Sequence, residues 1–172
     1  MRCFKLDRNV SQAKNRYKII CFFVIIKKGE SDFMNLEKLR FLDELNALNL
    51  PKEEYALGGS APLVVRGLKE INQDLDLLVT RKLWNALAKK APIQIFENGT
   101  QRGEYISIGN IDFIKCLIGV SETETELVLN QAEVIEGYRF VTLEDVIKWK
   151  KILNRDKDLQ TIRLIEEYLQ KS

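Results

Sequence analysis

Two aspartates separated by a single leucine, at the head of an apolar run, constrain this chain more than any other feature. In Asp74-Leu75-Asp76-Leu77-Leu78-Val79 the alternation predicts a strand. Successive strand side chains point to opposite faces, so both carboxylates share one face. Acids at the start of a buried-looking strand are costly unless something compensates them. A bound metal ion is one compensation, and a solvent-facing sheet edge is the other. Upstream, Tyr55-Ala56-Leu57 reads as a short strand running into Gly58-Gly59-Ser60, and residues 61–66 read as a helix with Pro62 in its first turn. Glycines there let the backbone approach a phosphate closely, while a hydroxyl and free helical amides bind its oxygens. Two carboxylates on one face suit an oxygen-loving ion such as Mg²⁺. No Asp-x-Asp-x-Asp-Gly calcium loop surrounds them.

Composition narrows the chemistry further. The chain has no histidine, which removes His-based triads, HExxH zinc sites and histidine general bases together. Its three cysteines, Cys3, Cys21 and Cys116, have no paired spacing, so neither a disulfide framework nor a zinc cluster follows. Catalysis must therefore run on carboxylates, lysines, hydroxyls or a carboxylate-bound metal. With 45% hydrophobic and 30% charged residues, the chain carries enough apolar material for a core.

Charge is unevenly spread. Residues 1–33 hold eight Lys/Arg against three acids, whereas residues 34–172 hold nineteen against twenty-two. The later region has no basic excess to advertise bulk nucleic-acid binding. Residues 19–26 are eight consecutive apolar positions flanked by lysines. A membrane-spanning helix takes about 20, so the run is too short to span. No small-residue cleavage site follows it, which argues against a secretory signal. One reading is a buried strand added to the sheet. The other takes residues 1–33 as a leader outside the domain, because codons for Lys28-Gly29-Glu30 are purine-rich and can spell a ribosome-binding sequence ahead of Met34. We expect Met34 to be the biological start, with residues 34–172 forming a single domain.

Along that domain, Leu36, Leu39, Leu42, Leu45 and Leu48 recur every three residues, predicting one helix ended by Pro51. Residues 81–90 predict a helix ended by Pro92, then a strand over 93–96 and a turn at Asn98-Gly99. Strands over 105–108 and 111–114 meet at Gly109-Asn110. Residues 134–141 are extended, with Gly137 as a break. Thr142 caps a helix over 143–154, where Glu144 and Asp145 favour the helix dipole, and a last helix covers 158–169. Trp84 and Trp149 read as packing residues, and Cys116 as an inert thiol in an apolar strand.

Residues 58–79 resemble the glycine-serine and paired-aspartate signature of the DNA polymerase beta nucleotidyltransferase superfamily. Members normally add a third carboxylate on a later strand, and Asp112 in Asn110-Ile111-Asp112-Phe113-Ile114 fits that place. Residues 142–158, which contain Leu143-Glu144-Asp145, Lys150 and Arg155-Asp156-Lys157-Asp158, are similar to a run in small bacterial and archaeal members, including abortive-infection toxin-like and minimal nucleotidyltransferases. Glu70 and Asn72 stand where such relatives often carry an arginine and a serine or threonine.

The resemblance implies a mixed α/β (α+β) fold, with a sheet of four to five strands flanked by helices and a helical C-terminal end. It implies transfer of a nucleoside monophosphate from a nucleoside triphosphate to a hydroxyl acceptor. That acceptor would be a transfer RNA or other RNA end, a partner protein or a small molecule. Asp74, Asp76 and Asp112 would be the catalytic, metal-holding carboxylates, with Mg²⁺ or Mn²⁺ as cofactor. Gly59, Ser60, Lys150 and Arg155 would bind the nucleotide. The expected setting is cytoplasmic and away from membranes. The alternative is a toxin–antitoxin component that keeps the fold mainly to bind a cognate partner.

Overall fold

The computed structural model describes residues 34–98 and 101–171. The expectations for residues 1–33 and for a turn through Gly99 concern positions outside them. Among the described residues the fold is mixed α/β, with one seven-stranded sheet in the order β3-β4-β5-β2-β1-β7-β6. The strands are β1 (Tyr55–Leu57), β2 (Leu75–Val79), β3 (Gln94–Asn98), β4 (Gln101–Ile108), β5 (Ile111–Ile114), β6 (Glu133–Ile135) and β7 (Tyr138–Phe140). The helices are α1 (Leu42–Ala47), α2 (Ala61–Val64), α3 (Arg81–Leu87), α4 (Glu122–Gln131), α5 (Leu143–Leu153) and α6 (Asp156–Leu169). The β2/β5 and β1/β7 pairs are parallel, and the others are antiparallel. No helix among the described residues is long and apolar enough to cross a membrane.

The sheet is wider than the expected four to five strands for a local reason. Residues 134–141 are not one extended segment. Glu136 and Gly137, at φ 48° and 81°, fold them into the β6/β7 hairpin, which adds two strands beyond β1. The β3 strand also pairs antiparallel with a β4 twice the expected length.

Strand parity divides the core in two. Leu75, Leu77 and Val79 of β2 pack with Phe113, Ile111, Phe140 and Tyr55 beneath Leu45 of α1 and Leu83, Trp84 and Leu87 of α3. Leu78, with Ala56, faces the other way, against Leu129 of α4, Leu143 and Val146 of α5, and Ile165 of α6. Complete burial of side chains such as Phe113 and Phe140 stabilises the fold by roughly 1.5–3 kcal/mol each. Asp76 has the parity of Leu78, so it belongs to the face covered by the C-terminal helices.

Several boundaries differ from the periodic pattern. The leucine repeat over 36–48 is split into a 3-10 turn at Leu36–Lys38 and α1, because Phe41 takes φ 68°. At the break the Arg40 N–H donates to the Asn72 side-chain oxygen, and the Asn72 amide donates back to Arg40 O. A tertiary partner thus takes the hydrogen bonds that a continuing helix would use. The α2 helix is one turn, shorter than the expected 61–66, and Gly67 follows at φ 69°. The α4 helix was assigned no element from periodicity, although its signal is present. Ser121 and Glu124 form a reciprocal capping box, with the Glu124 N–H donating to Ser121 Oγ and the Ser121 N–H to the Glu124 carboxylate.

Candidate active site

The turn after β1 is built around Asp76. The Gly58 N–H donates to Asp76 O at 2.8 Å, holding the turn against β2. Gly59 then adopts φ +54°, and a Cβ at that position would lie 1.9 Å from Asp76 Oδ2. Its lack of a side chain is therefore what admits the carboxylate. The glycine expected beside a phosphate thus has an aspartate carboxylate against it in the fold. Ser60 precedes α2 without a side-chain capping bond.

Sheet register completes the acidic row. Asp76 on β2 is paired with Asp112 on β5, and Asp112 in turn with Ser107 on β4. Neighbouring strands run about 4.8 Å apart, so the paired residues sit side by side on one face. The Ser107 hydroxyl donates to Asp112 Oδ1. Asp74 lies one residue ahead of β2 and is exposed. Its carbonyl accepts at 2.9 Å from the amide of Asn72, a side chain with 0% exposure.

Asn72 therefore points inward as a clamp between the Asp74 turn and Arg40, and Glu70 is exposed. Burial, followed by the nearby charges of Asp74 and Asp112, pushes the Asp76 carboxyl up to about 7. Lys150 and Lys69 pull it back without cancelling the rise. Loss of water around the charged form is the main physical cause, and like charges crowding the site add to it.

A second charged group faces this row from the C-terminal helices. Asp158, 0% exposed, accepts from Lys150 Nζ at 3.0 Å and from Arg155 Nε at 2.5 Å and Nη2 at 3.1 Å. It also accepts from the Arg155 backbone N–H at 3.2 Å, which ties down the start of α6. Burial alone would raise the Asp158 carboxyl, but the Arg155 and Lys150 hydrogen bonds outweigh it and hold it at about 2. Lys150 reaches this position from the last turn of α5. Asn154, at φ 48°, then reverses the chain into α6.

The three aspartates and the cations Lys150 and Arg155 line one cleft of about 660 Å³, together with Gly59, Ser60, Lys69, Gln73 and Lys157, while Asp158 lies buried behind the cations. All seven residues singled out in the sequence, Gly59, Ser60, Asp74, Asp76, Asp112, Lys150 and Arg155, border it. Phe96, Tyr105, Ile118, Trp149 and Leu164 form a more apolar stretch of the same wall. No family model, curated protein or solved structure matches this chain. The site is accordingly judged on its own geometry. Among the described residues, no three carboxylates or thiols are gathered closely enough to form a ready-made metal cage. Asp76 and Asp112 share a face of the sheet, and Asp74, in the bend ahead of β2, adds its charge to theirs.

Sequence reasoning assigned no role to Ser107, Lys69, Lys157 or Asn72, and it left Asp158 as part of a spacing pattern. Ser107 could have been found from its symmetry about the Gly109-Asn110 turn, which places it opposite Asp112. Asn72 carried no local signal, because its partner Arg40 lies thirty-two positions away.

Proposed function

We propose that this chain is a small, cytoplasmic, metal-dependent nucleotidyltransferase. It would move a nucleoside monophosphate from a nucleoside triphosphate to a hydroxyl acceptor on RNA, a protein or a small molecule. The observation that carries this reading is the Asp76–Asp112 register pair, with Asp74 at the same strand end and a cationic wall across the cleft. The donor set fits a hard divalent cation, being three carboxylates whose mutual repulsion such a cation would relieve. Asp74, Asp76 and Asp112 would hold Mg²⁺ or Mn²⁺, which when bound supplies charge neutralisation at attacking and leaving oxygens.

The remaining work falls to the chain itself. Gly59 and Ser60 would border the β- and γ-phosphates. Asp112, oriented by the Ser107 hydroxyl, would take the proton from the acceptor hydroxyl. Lys150 and Arg155, set in place by Asp158, would direct their remaining N–H donors at the phosphates or the acceptor. The test is incubation of the protein with each labelled nucleoside triphosphate, Mg²⁺ or Mn²⁺, and total RNA or cell lysate. Label transferred to a defined acceptor supports the reading, and no transfer with any of the four nucleotides removes it. A second reading, a toxin–antitoxin component that works by binding its partner, draws on Glu70 and on Asn72, which is turned inward as a structural clamp rather than toward the cleft.

A further inference from the structure

Behind the acidic row lies a void of about 10 Å³, walled by Gly58, Gly59, Asp76, Asp145 and Trp149 with apolar neighbours. That is close to the roughly 10–15 Å³ at which a cavity holds one water molecule. Trp149, on α5, borders both this void and the cleft. Its indole Nε1 is the one buried side-chain nitrogen or oxygen among the described residues without a hydrogen-bond partner. Buried polar atoms are nearly always paired, and an orphan of this kind points to an ordered water or ion. The indole nitrogen only donates, so a cation cannot satisfy it.

We propose that a single ordered water occupies this void, accepting from Trp149 Nε1 and donating to the carboxylate of Asp76. Its second hydrogen is directed at Asp145. That carboxylate already accepts from Thr142 Oγ1 at 3.0 Å and Lys148 Nζ at 2.8 Å, and keeps lone pairs beyond those two. Three partners is the usual complement of a buried water. Gly59 leaves room for the Asp76 carboxylate on one side, and the water supports it from behind. Trp149 thereby becomes a positioning residue for Asp76, acting through the water. The value of that positioning rests on the nucleotidyl-transfer reading, whereas the water itself does not.

The experiment uses the full chain labelled with ¹⁵N, in which Trp84 and Trp149 supply the two indole resonances. Trp84→Phe assigns them. A water-selective NOE measurement should give a cross-peak from a long-lived water at the Trp149 indole, and Asp76→Asn should shift that resonance more than the Trp84 resonance. Trp149→Phe keeps an aromatic ring and removes the N–H. It should raise the Mn²⁺ concentration for half-saturation, followed by EPR, by the ~10–100-fold typical of lost outer-shell partners. A tryptophan that serves only as packing moves none of these readouts. Absence of the water cross-peak, or unchanged Mn²⁺ binding in a folded Trp149→Phe, overturns the proposal. If Trp149→Phe does not fold, the cross-peak and the Asp76→Asn shift decide. If the wild type binds no Mn²⁺, the transfer reading fails, and the cross-peak still decides whether the water is there.

Discussion

The acidic row on the sheet and the Lys150–Arg155–Asp158 group on the helices meet at one cleft, which Lys150 and Arg155 line, and they handle charge in opposite ways. Asp158 is fully buried, yet two cations and a backbone N–H satisfy it, so its carboxyl is held at about 2. Asp76 has no such partners among the described residues: burial raises its carboxyl, two more carboxylates add to the rise, and it reaches about 7. Burial pushes both carboxyls up, and only Asp158 has partners that outweigh it. The partners decide. A satisfied buried charge is architecture, whereas an uncompensated cluster at a cleft is where function is sought.

This contrast can be tested by removing one member from each side. Under the transfer reading, Asp76→Asn should lower nucleotide transfer by more than ~100-fold, beyond the usual effect of outer-shell changes at metal sites. The same variant should melt at or above the wild-type temperature without metal, because it relieves repulsion with Asp74 and Asp112. Equal stabilisation of wild type and variant by Mg²⁺ plus ATP would break the contrast. Asp158→Asn should behave in the reverse sense, losing about 3 kcal/mol in urea denaturation. That is the lower end of the cost of breaking a buried pair, since Lys150 and Arg155 keep 14% and 29% exposure. An unchanged midpoint would mean the buried carboxylate is not the anchor of α5 and α6.

Gly59→Ala sharpens the acidic side. A left-handed backbone costs a non-glycine residue about 1–2 kcal/mol, and the new methyl meets Asp76 Oδ2 as well. The loss should exceed that strain in wild type and shrink in an Asp76→Ala background, which a double-mutant cycle reads directly. The two acids should also oppose each other in pH dependence. Asp76 has a folded value of about 7 against an ordinary 3.8, so its contribution to stability is full below about 3.8 and is lost as pH rises through 7. Asp158, at about 2, contributes in full above 3.8 and loses its contribution as pH falls toward 2. Stability of the wild type relative to Asp76→Asn should therefore fall between pH 4 and 7. Relative to Asp158→Asn it should fall between pH 4 and 2.

Some of this was legible in the chain and some was not, and the range of the determining forces explains the division. Alternation over residues 75–79 put Asp76 on the face of Leu78, because pleat is a property of adjacent residues, while Asp74 fell in the bend just ahead of the strand. Thr142 announced the start of α5 by side-chain capping, which acts over three positions. Gly58-Gly59 marked a special turn for the same local reason. The split in the leucine-rich N-terminal helix was invisible locally, since Asn72 imposes it from across the fold. The sheet's full width likewise depended on where the Tyr138–Phe140 strand found a partner, beside Leu57.

What the sequence alone determined is the inventory: carboxylates, lysines and glycines in an order that allows only histidine-free chemistry. Tertiary structure decided which of them meet. It set Asp112 beside Asp76 through strand register, and it gave Lys150 and Arg155 a buried aspartate as their common partner. It also gave Gly59 the task of making room for a carboxylate. Spacing along a chain constrains a few residues at a time, whereas a charge feels every neighbour that the fold brings within several ångströms.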